Sequence, residues 1–345
     1  ILPATAPPLC PRYVPLLPPD SPLQYNIPDA SIPADAAYQI VHDEMLLDHI
    51  STQNMATFVT SWMEKEADQL MIQSLGKNLA DQHEYSRSHE LQARCVNMIA
   101  NLWHGQNGNS VGTFATGSSE AFMLAALAMK FNWRNKRKAL GLPFDKPNIV
   151  FGCNAQVCIS KFCVYFDVEA RKVPVTQESG YVMDPYAAIP LVDENTIGVV
   201  AILGSTFTGK FEDVSLLNSL LDDIQQNYGF DVPIHVDAAS GGFVAPFAFP
   251  DLVWDFRLPR VVSINVSGHK YGLVYPGAGW IIWREKSMLP REIVFELGMF
   301  WKFSETRDTD PRDYLGGEVG TFSINFSRSA CHVIGQYYNF IRLGK

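Results

Sequence analysis

Lys270 directly follows an apolar run and sits among small and polar neighbours, in Ser263-Ile264-Asn265-Val266-Ser267-Gly268-His269-Lys270-Tyr271-Gly272. A solvated lysine needs no such setting. A desolvated one gives up its proton more readily, and the free amine is the nucleophile of Schiff-base chemistry. An exposed loop lysine is the plain alternative, and this segment alone does not separate the two. A second cluster, His235-Val236-Asp237-Ala238-Ala239-Ser240-Gly241-Gly242, ends an apolar run in an acid followed by small residues. Small residues let a flat group approach the backbone, and a carboxylate there must be paired to stay ionised. On its own it reads more simply as an acid capping the next turn. A third cluster, Thr116-Gly117-Ser118-Ser119-Glu120-Ala121, opens a long helical pattern. Two hydroxyls and free N–H groups at a helix start make an anion site, although alone they read as an N-cap with a first-turn glutamate.

Together the three clusters offer an amine, a carboxylate and a phosphate cradle, which are the needs of pyridoxal phosphate. The lysine would carry the aldehyde, the acid would pair with the pyridinium nitrogen, and the helix start would hold the phosphate. One motif competes. Gly204-Ser205-Thr206-Phe207-Thr208-Gly209-Lys210-Phe211 nearly spells a nucleotide-binding loop. Its last position is Phe211, so the hydroxyl that would bind Mg²⁺ is absent. No paired Cys/His spacing points to a metal, and a serine hydrolase is set aside.

These residues need elements to position them. Helical spacing predicts helices over Ala36–Ile50 (capped by Asp35), Glu64–Leu79, Glu84–Trp103 and Ser118–Lys138, the last with a basic end suited to the helix dipole. From Pro147 onward, apolar strands alternate with helices: Asn148–Phe151, Thr196–Leu203, Pro233–Val236 and Val261–Val266, with helices at Asp213–Gln226 and Arg328–Leu343. That alternation predicts an α/β fold with a mostly parallel sheet flanked by helices. Ligands in such sheets bind at the carboxyl ends of the strands.

The 345 residues suffice for one large domain, or one and a half, and the net charge of −9 argues against nucleic-acid binding. No apolar run is long enough for a membrane helix. Six cysteines without a CxxC pair suit a reducing, cytoplasmic setting. Ten of the 22 prolines fall within the first 33 residues, so residues 1–34 read as a proline-rich arm. Residues 35–110 follow as a helical segment and 111–345 as the cofactor domain.

The lysine segment through Trp280, together with Ala56-Thr57-Phe58, Gly117–Ala121, His235–Phe243 and Trp254-Asp255-Phe256-Arg257-Leu258-Pro259, resembles the glutamate decarboxylase family of plants, fungi and bacteria. The likeness covers nearly everything from Tyr25 to Gly344. It implies a fold-type-I pyridoxal-phosphate enzyme, a carboxy-lyase that converts L-glutamate to 4-aminobutanoate and CO2. Carried over by position, Lys270 is the Schiff-base lysine, Asp237 the partner of the pyridinium nitrogen, and His269 a further catalytic residue. Ser118, Ser119 and His269 would hold the phosphate, with Ser327 reaching it from a neighbouring subunit. Thr206 and Ser267 match cofactor-pocket positions, and Gln156 would cover the ring. Thr57, Phe58, Asn78 and Asp81 match the pocket for the distal carboxylate. An acid beside a substrate carboxylate implies a shared proton, hence activity at mildly acid pH. The family assembles as dimers or hexamers, so a homo-oligomer is expected. The alternatives are decarboxylation of another acidic amino acid, or a catalytically silent paralogue that acts as an assembly partner.

Two departures stand out. Residues 298–312 interrupt the family sequence between Phe295 and Tyr314, and the family's small C-terminal domain would lie beyond Gly344. Codon degeneracy allows fungal-type intron signals at Gly298-Met299-Phe300, Thr309-Asp310, Pro311-Arg312 and Gly344-Lys345. A truncated gene product with a retained intron is the corresponding expectation.

Overall fold

The computed structural model describes residues 26–55, 57–106, 108, 110–296 and 320–345. Most of the proline-rich arm and the 298–312 interruption lie outside them. The chain divides into two units, Ile1–Thr57 and Phe58–Lys345.

In the first unit, helix α1 (Ala34–Met45) buries none of its residues. It starts two residues before the expected Ala36 and stops before Ile50. Pro33 occupies the N-cap, because its fixed φ and missing N–H suit a helix start. Asp35 is therefore a first-turn residue that accepts from the Ala36 N–H, and not the cap.

The second unit opens with α2 (Lys65–Ser74) and α3 (Ser86–Leu102). Helix α2 ends five residues short of the expected Leu79. The chain there leaves the helix to pair with the segment before the last helix: Leu79 N–H donates to Arg328 O at 2.8 Å and Ala330 N–H to Lys77 O at 2.8 Å.

Seven strands follow: β1 (Val111–Ala115), β2 (Asn148–Gly152), β3 (Glu169–Val173), β4 (Thr196–Ile202), β5 (Ile234–Asp237), β6 (Val261–Ser267) and β7 (Gly279–Trp283). Across the sheet they run β3-β2-β4-β5-β6-β7-β1. Neighbours from β3 to β6 are parallel, and β7 is antiparallel to both β6 and β1. Two-residue strands β8 (Phe295–Glu296) and β9 (Gly320–Thr321) pair separately. The remaining helices are α4 (Ser118–Ala139), α5 (Val157–Tyr165), the single-turn α6 (Pro185–Ala188), α7 (Val214–Tyr228), the single-turn α8 (Ala245–Ala248) and α9 (Cys331–Leu343). Asp213 caps α7 by accepting from Leu216 N–H at 2.8 Å. This is the mixed α/β, mostly parallel architecture that the alternation of runs predicts.

The inner strands β2, β4, β5 and β7 are buried on both faces. Along β7, Trp280 and Ile282 join the core that holds Val96, Ile99 and Trp103 of the α3 side. Ile281 and Trp283 instead join Leu124, Ala125 and Ala128 of α4. Successive side chains point to opposite faces, so a strand covered on both sides reads as an unbroken apolar run. The five described cysteines are free thiols. Among the described residues, no helix is long and apolar enough to cross a membrane.

One contact locks the start of α4 to the sheet. Gly279 pairs with Ala115 on one side and Ser267 on the other. A Cβ on it would lie 2.4 Å from the Gly117 carbonyl carbon. The obstacle is backbone and cannot swing away. Gly279→Ala should cost about 2 kcal/mol through overpacking, read as a lower urea midpoint at unchanged slope. A midpoint equal to the parent's would contradict this packing.

Candidate active site

The polar clusters converge at the carboxyl ends of β5 and β6, as expected for an open α/β sheet. Strand β5 ends on Asp237 and β6 on Ser267, and their parallel pairing sets Asp237 opposite Asn265. The chain leaving β6 folds tightly: Lys270 N–H donates back to Ser267 O at 3.3 Å, and Leu273, at φ 59°, donates to Lys270 O at 3.3 Å. Thr60 clamps this turn from far away in the chain. Its N–H donates to His269 O at 2.7 Å and its hydroxyl to Lys270 O at 3.0 Å. The turn then presents Lys270 Nζ to Ser240 Oγ, 3.3 Å away, in the loop after β5.

Asp237 is almost completely buried. It accepts from Asn265 Nδ2 at 2.9 Å and from Ala239 N–H at 3.2 Å, both on Oδ1. No donor among the described residues reaches Oδ2. His269 is held by Ala278, whose N–H donates to its Nδ1 at 3.3 Å. Burial, and then the positive charge of Lys270, push the imidazole below its usual range. At neutral pH it is therefore a neutral ring with its hydrogen on Nε2.

At the start of α4, no side chain caps the N–H groups of Ser118, Ser119 and Glu120. Of the plain capping reading, the first-turn glutamate holds and the side-chain N-cap does not, because Gly117 occupies the cap position. Glu120 folds back over the residue before the helix, accepting from Thr116 N–H at 2.8 Å, and accepts from Asn325 Nδ2 at 3.0 Å. The open donors sit beside the lysine turn, since a Cβ on Gly117 would lie 3.4 Å from His269 Cε1. Ser119 is a hydrogen-bonding partner of Cys158, whose thiol burial pushes up to about 12. Cys158 also feels the charge of Asp237. The helix start, the acid and the lysine turn thus lie next to one another.

The fit to pyridoxal phosphate rests on what these groups leave open. Ser267 Oγ is buried with no hydrogen-bond partner, an arrangement that costs free energy unless a ligand supplies one. Among the described residues Asp237 Oδ2 lacks a donor, the first N–H groups of α4 lack acceptors, and the lysine amine donates to the Ser240 hydroxyl. These residues match the ring nitrogen, phosphate and aldehyde of that cofactor.

Other expected residues are placed less centrally. Gln156 caps α5, its Oε1 accepting from Cys158 N–H at 2.6 Å. Thr206 is half-buried in a loop closed on itself by Ser205 N–H to Lys210 O and Gly209 N–H to Ser205 O. That closure and the start of α7 at Val214 leave no nucleotide-binding loop. Asn78 and Ser327, expected at different ends of the site, meet within one chain: Asn78 Nδ2 donates to Ser327 Oγ at 3.3 Å. Asp81 caps the turn before α3, accepting from Glu84 N–H at 3.1 Å. Phe58 is 59% exposed, and Thr57 belongs to the first unit.

Sequence reasoning passed over Thr60, Asn265 and His235, whose parts depend on pairing between distant segments. It also missed that Gly108-Asn109-Ser110-Val111-Gly112 has the spacing of a hydrolase elbow. Such an elbow follows a strand. This string instead runs into the start of β1, with Ser110 just before the strand, and Ser110 Oγ donates to Arg284 O at 3.2 Å. Among the described residues no cluster could hold a metal ion.

The pyridoxal-dependent decarboxylase conserved domain matches residues 28–345. Glutamate decarboxylase 5 of Arabidopsis thaliana is 54% identical over 324 residues, covering 93% of this chain and 62% of that protein. Glutamate decarboxylase of Aliivibrio fischeri is 47% identical, over 93% of this chain and 66% of its own length. The chain therefore spans a little under two thirds of these relatives. The solved glutamate decarboxylase of Lactobacillus brevis superimposes with a TM-score of 0.85 at 47% identity, covering 93% of this chain and 70% of that one. Catharanthus roseus tryptophan decarboxylase shares the fold alone, with a TM-score of 0.73 at 18% identity. With its lysine and aspartate at adjacent strand ends and its sequence matched from residue 28 onward, the chain belongs to the pyridoxal-dependent decarboxylase family.

Proposed function

We propose that this protein removes the α-carboxylate of L-glutamate to give 4-aminobutanoate and CO2. The observation that carries the reading is the placement of a lysine amine just beyond the end of β6 and a buried carboxylate at the end of neighbouring β5, in a chain about half identical to glutamate decarboxylases. Pyridoxal phosphate, when bound, supplies an aldehyde and an electron-withdrawing ring that stabilises the charge left as CO2 departs. One C–C bond breaks, one C–H bond forms, and one proton is taken up.

The residues divide this work. Lys270 gives the amine that anchors the aldehyde, and Ser240 orients it. Asp237 holds a proton at the ring nitrogen, which keeps the ring electron-poor. The N–H groups and hydroxyls of Ser118 and Ser119 bind the phosphate at the positive end of α4, and neutral His269 donates from Nε2. Ser267, Thr206 and Gln156 complete the cofactor pocket. Thr57, Phe58, Asn78 and Asp81 select a substrate with a distal carboxylate, and Ser327 reaches the phosphate in an assembly of like chains. In domain terms, 1–34 is the arm, 35–110 a helical segment and 111–345 the cofactor domain.

Three outcomes test the reading. Lys270→Ala should abolish both CO2 release and the visible absorption that appears when pyridoxal phosphate is added to the parent protein. A variant that keeps that absorption would refute the lysine assignment. Asp81→Asn should raise KM for glutamate and flatten the acid limb of the pH–rate profile, since the acid would no longer share a proton with the substrate. An unchanged KM and profile would remove Asp81 from the substrate site. In a panel of acidic amino acids, glutamate should give the highest kcat/KM, and a higher value for another would move the proposal to that substrate.

A further inference from the structure

Next to Asp237 lies a row of polar side chains that touches neither the lysine nor the phosphate cradle. Parallel pairing places His235 beside Ser263 and Asp237 beside Asn265. His235, Ser263 and Asn265 are all completely buried, and the ring of Phe122 stands edge-on to the imidazole with centroids 5.4 Å apart. Polar groups in such a place are costly unless each is paired, and here they are. Asn265 Nδ2 donates to Asp237 Oδ1 at 2.9 Å. His235 Nε2 lies 2.6 Å from Asn265 Oδ1, and His235 Nδ1 lies 2.8 Å from Ser263 Oγ.

With an ionised acid and a neutral imidazole, only one arrangement of hydrogens satisfies the row. The carboxylate can only accept, so the Asn265 amide must face it with nitrogen. The amide oxygen then faces His235, whose Nε2 must carry the hydrogen. Nδ1 is left with a lone pair that accepts from the Ser263 hydroxyl. Burial drives the imidazole pKa down to about 4, against the raising pull of Asp237, so the ring is neutral at physiological pH. The charge of Asp237 also reaches the Cys158 thiol and the Glu212 carboxyl, and burial pushes both up.

We propose that His235 is a positioning residue for the ring-nitrogen partner: through Asn265 it fixes the amide so that its N–H faces Asp237 Oδ1, leaving Oδ2 for a protonated ring nitrogen. The inference rests on the reading of Asp237 given above. Without the imidazole donor, the Asn265 oxygen is unpaired and the amide can rotate. Oxygen would then oppose oxygen at Asp237, and the acid would hold its own proton more tightly instead of keeping one on the ring.

The test has two arms. Nitrogen chemical shifts of His235 in the cofactor-free protein at neutral pH should show a protonated Nε2 and a bare Nδ1. The opposite tautomer, or a doubly protonated ring, overturns the proposal, and this arm needs no variant. In the second arm, pyridoxal phosphate is titrated into His235→Leu, His235→Gln and Asp237→Asn, with melting temperatures checking the fold. H235L should bind the cofactor about tenfold more weakly, the scale of one hydrogen bond to a charged group. It should also shift the pH at which the bound cofactor's visible band changes. H235Q keeps a donor for Asn265 and should restore both. If H235L matches the parent while D237N does not, His235 has no such role and the reading of Asp237 stands. If D237N also matches the parent, the reading of Asp237 falls and the proposal with it.

Discussion

Where β5 lies parallel to β6, His235 comes beside Ser263 and Asp237 beside Asn265, and the polar part of the site is built from that register. Both strands are otherwise apolar and covered on each face, so sliding one past the other by a residue would turn buried polar groups into apolar surroundings. The hydrophobic pattern therefore sets the register, and the register places the carboxylate. Stability and chemistry here share one constraint. The acid ends its strand at the point where the sheet stops covering it, and it is buried enough to need the amide that the neighbouring strand supplies.

A second constraint brings the phosphate cradle to the same place. The backbones at Gly117 and Gly279 approach too closely for a side chain at Gly279. This fixes the first turn of α4 against β7, and Ala278, just before that strand, holds His269. Thr60 closes the lysine turn from the other side with two hydrogen bonds to backbone oxygens. The lysine is thus held by main-chain contacts on both flanks while its amine remains free to exchange partners.

Much of this was legible in the sequence, for reasons specific to each part. Thr196–Ile202 is apolar at almost every position, as a central strand covered on both faces must be, and its neighbours follow the same rule. Strand β3 escaped because Glu169-Ala170-Arg171-Lys172-Val173 is an edge strand with exposed polar side chains. Strand β7 escaped because its residues were read as part of the lysine motif. In the site, Lys270 and Asp237 were visible because each follows an apolar run. His235, Asn265 and Thr60 were not, because local spacing carries no trace of a partner found across the sheet or 210 positions away. The same holds for Asn78 and Ser327, which meet across 249 positions.

The Thr60 clamp bears on the order in which the protein can be assembled. Its partners are the carbonyls of His269 and Lys270, so a growing chain must carry residue 60 unpaired through the synthesis of more than two hundred residues. The segment at Lys77–Leu79 waits longer, until Arg328 and Ala330 arrive. Such distant closures raise the contact order and slow folding. On the ribosome, the stretch after α2 is thus among the first parts of the second unit to be made and among the last to be closed.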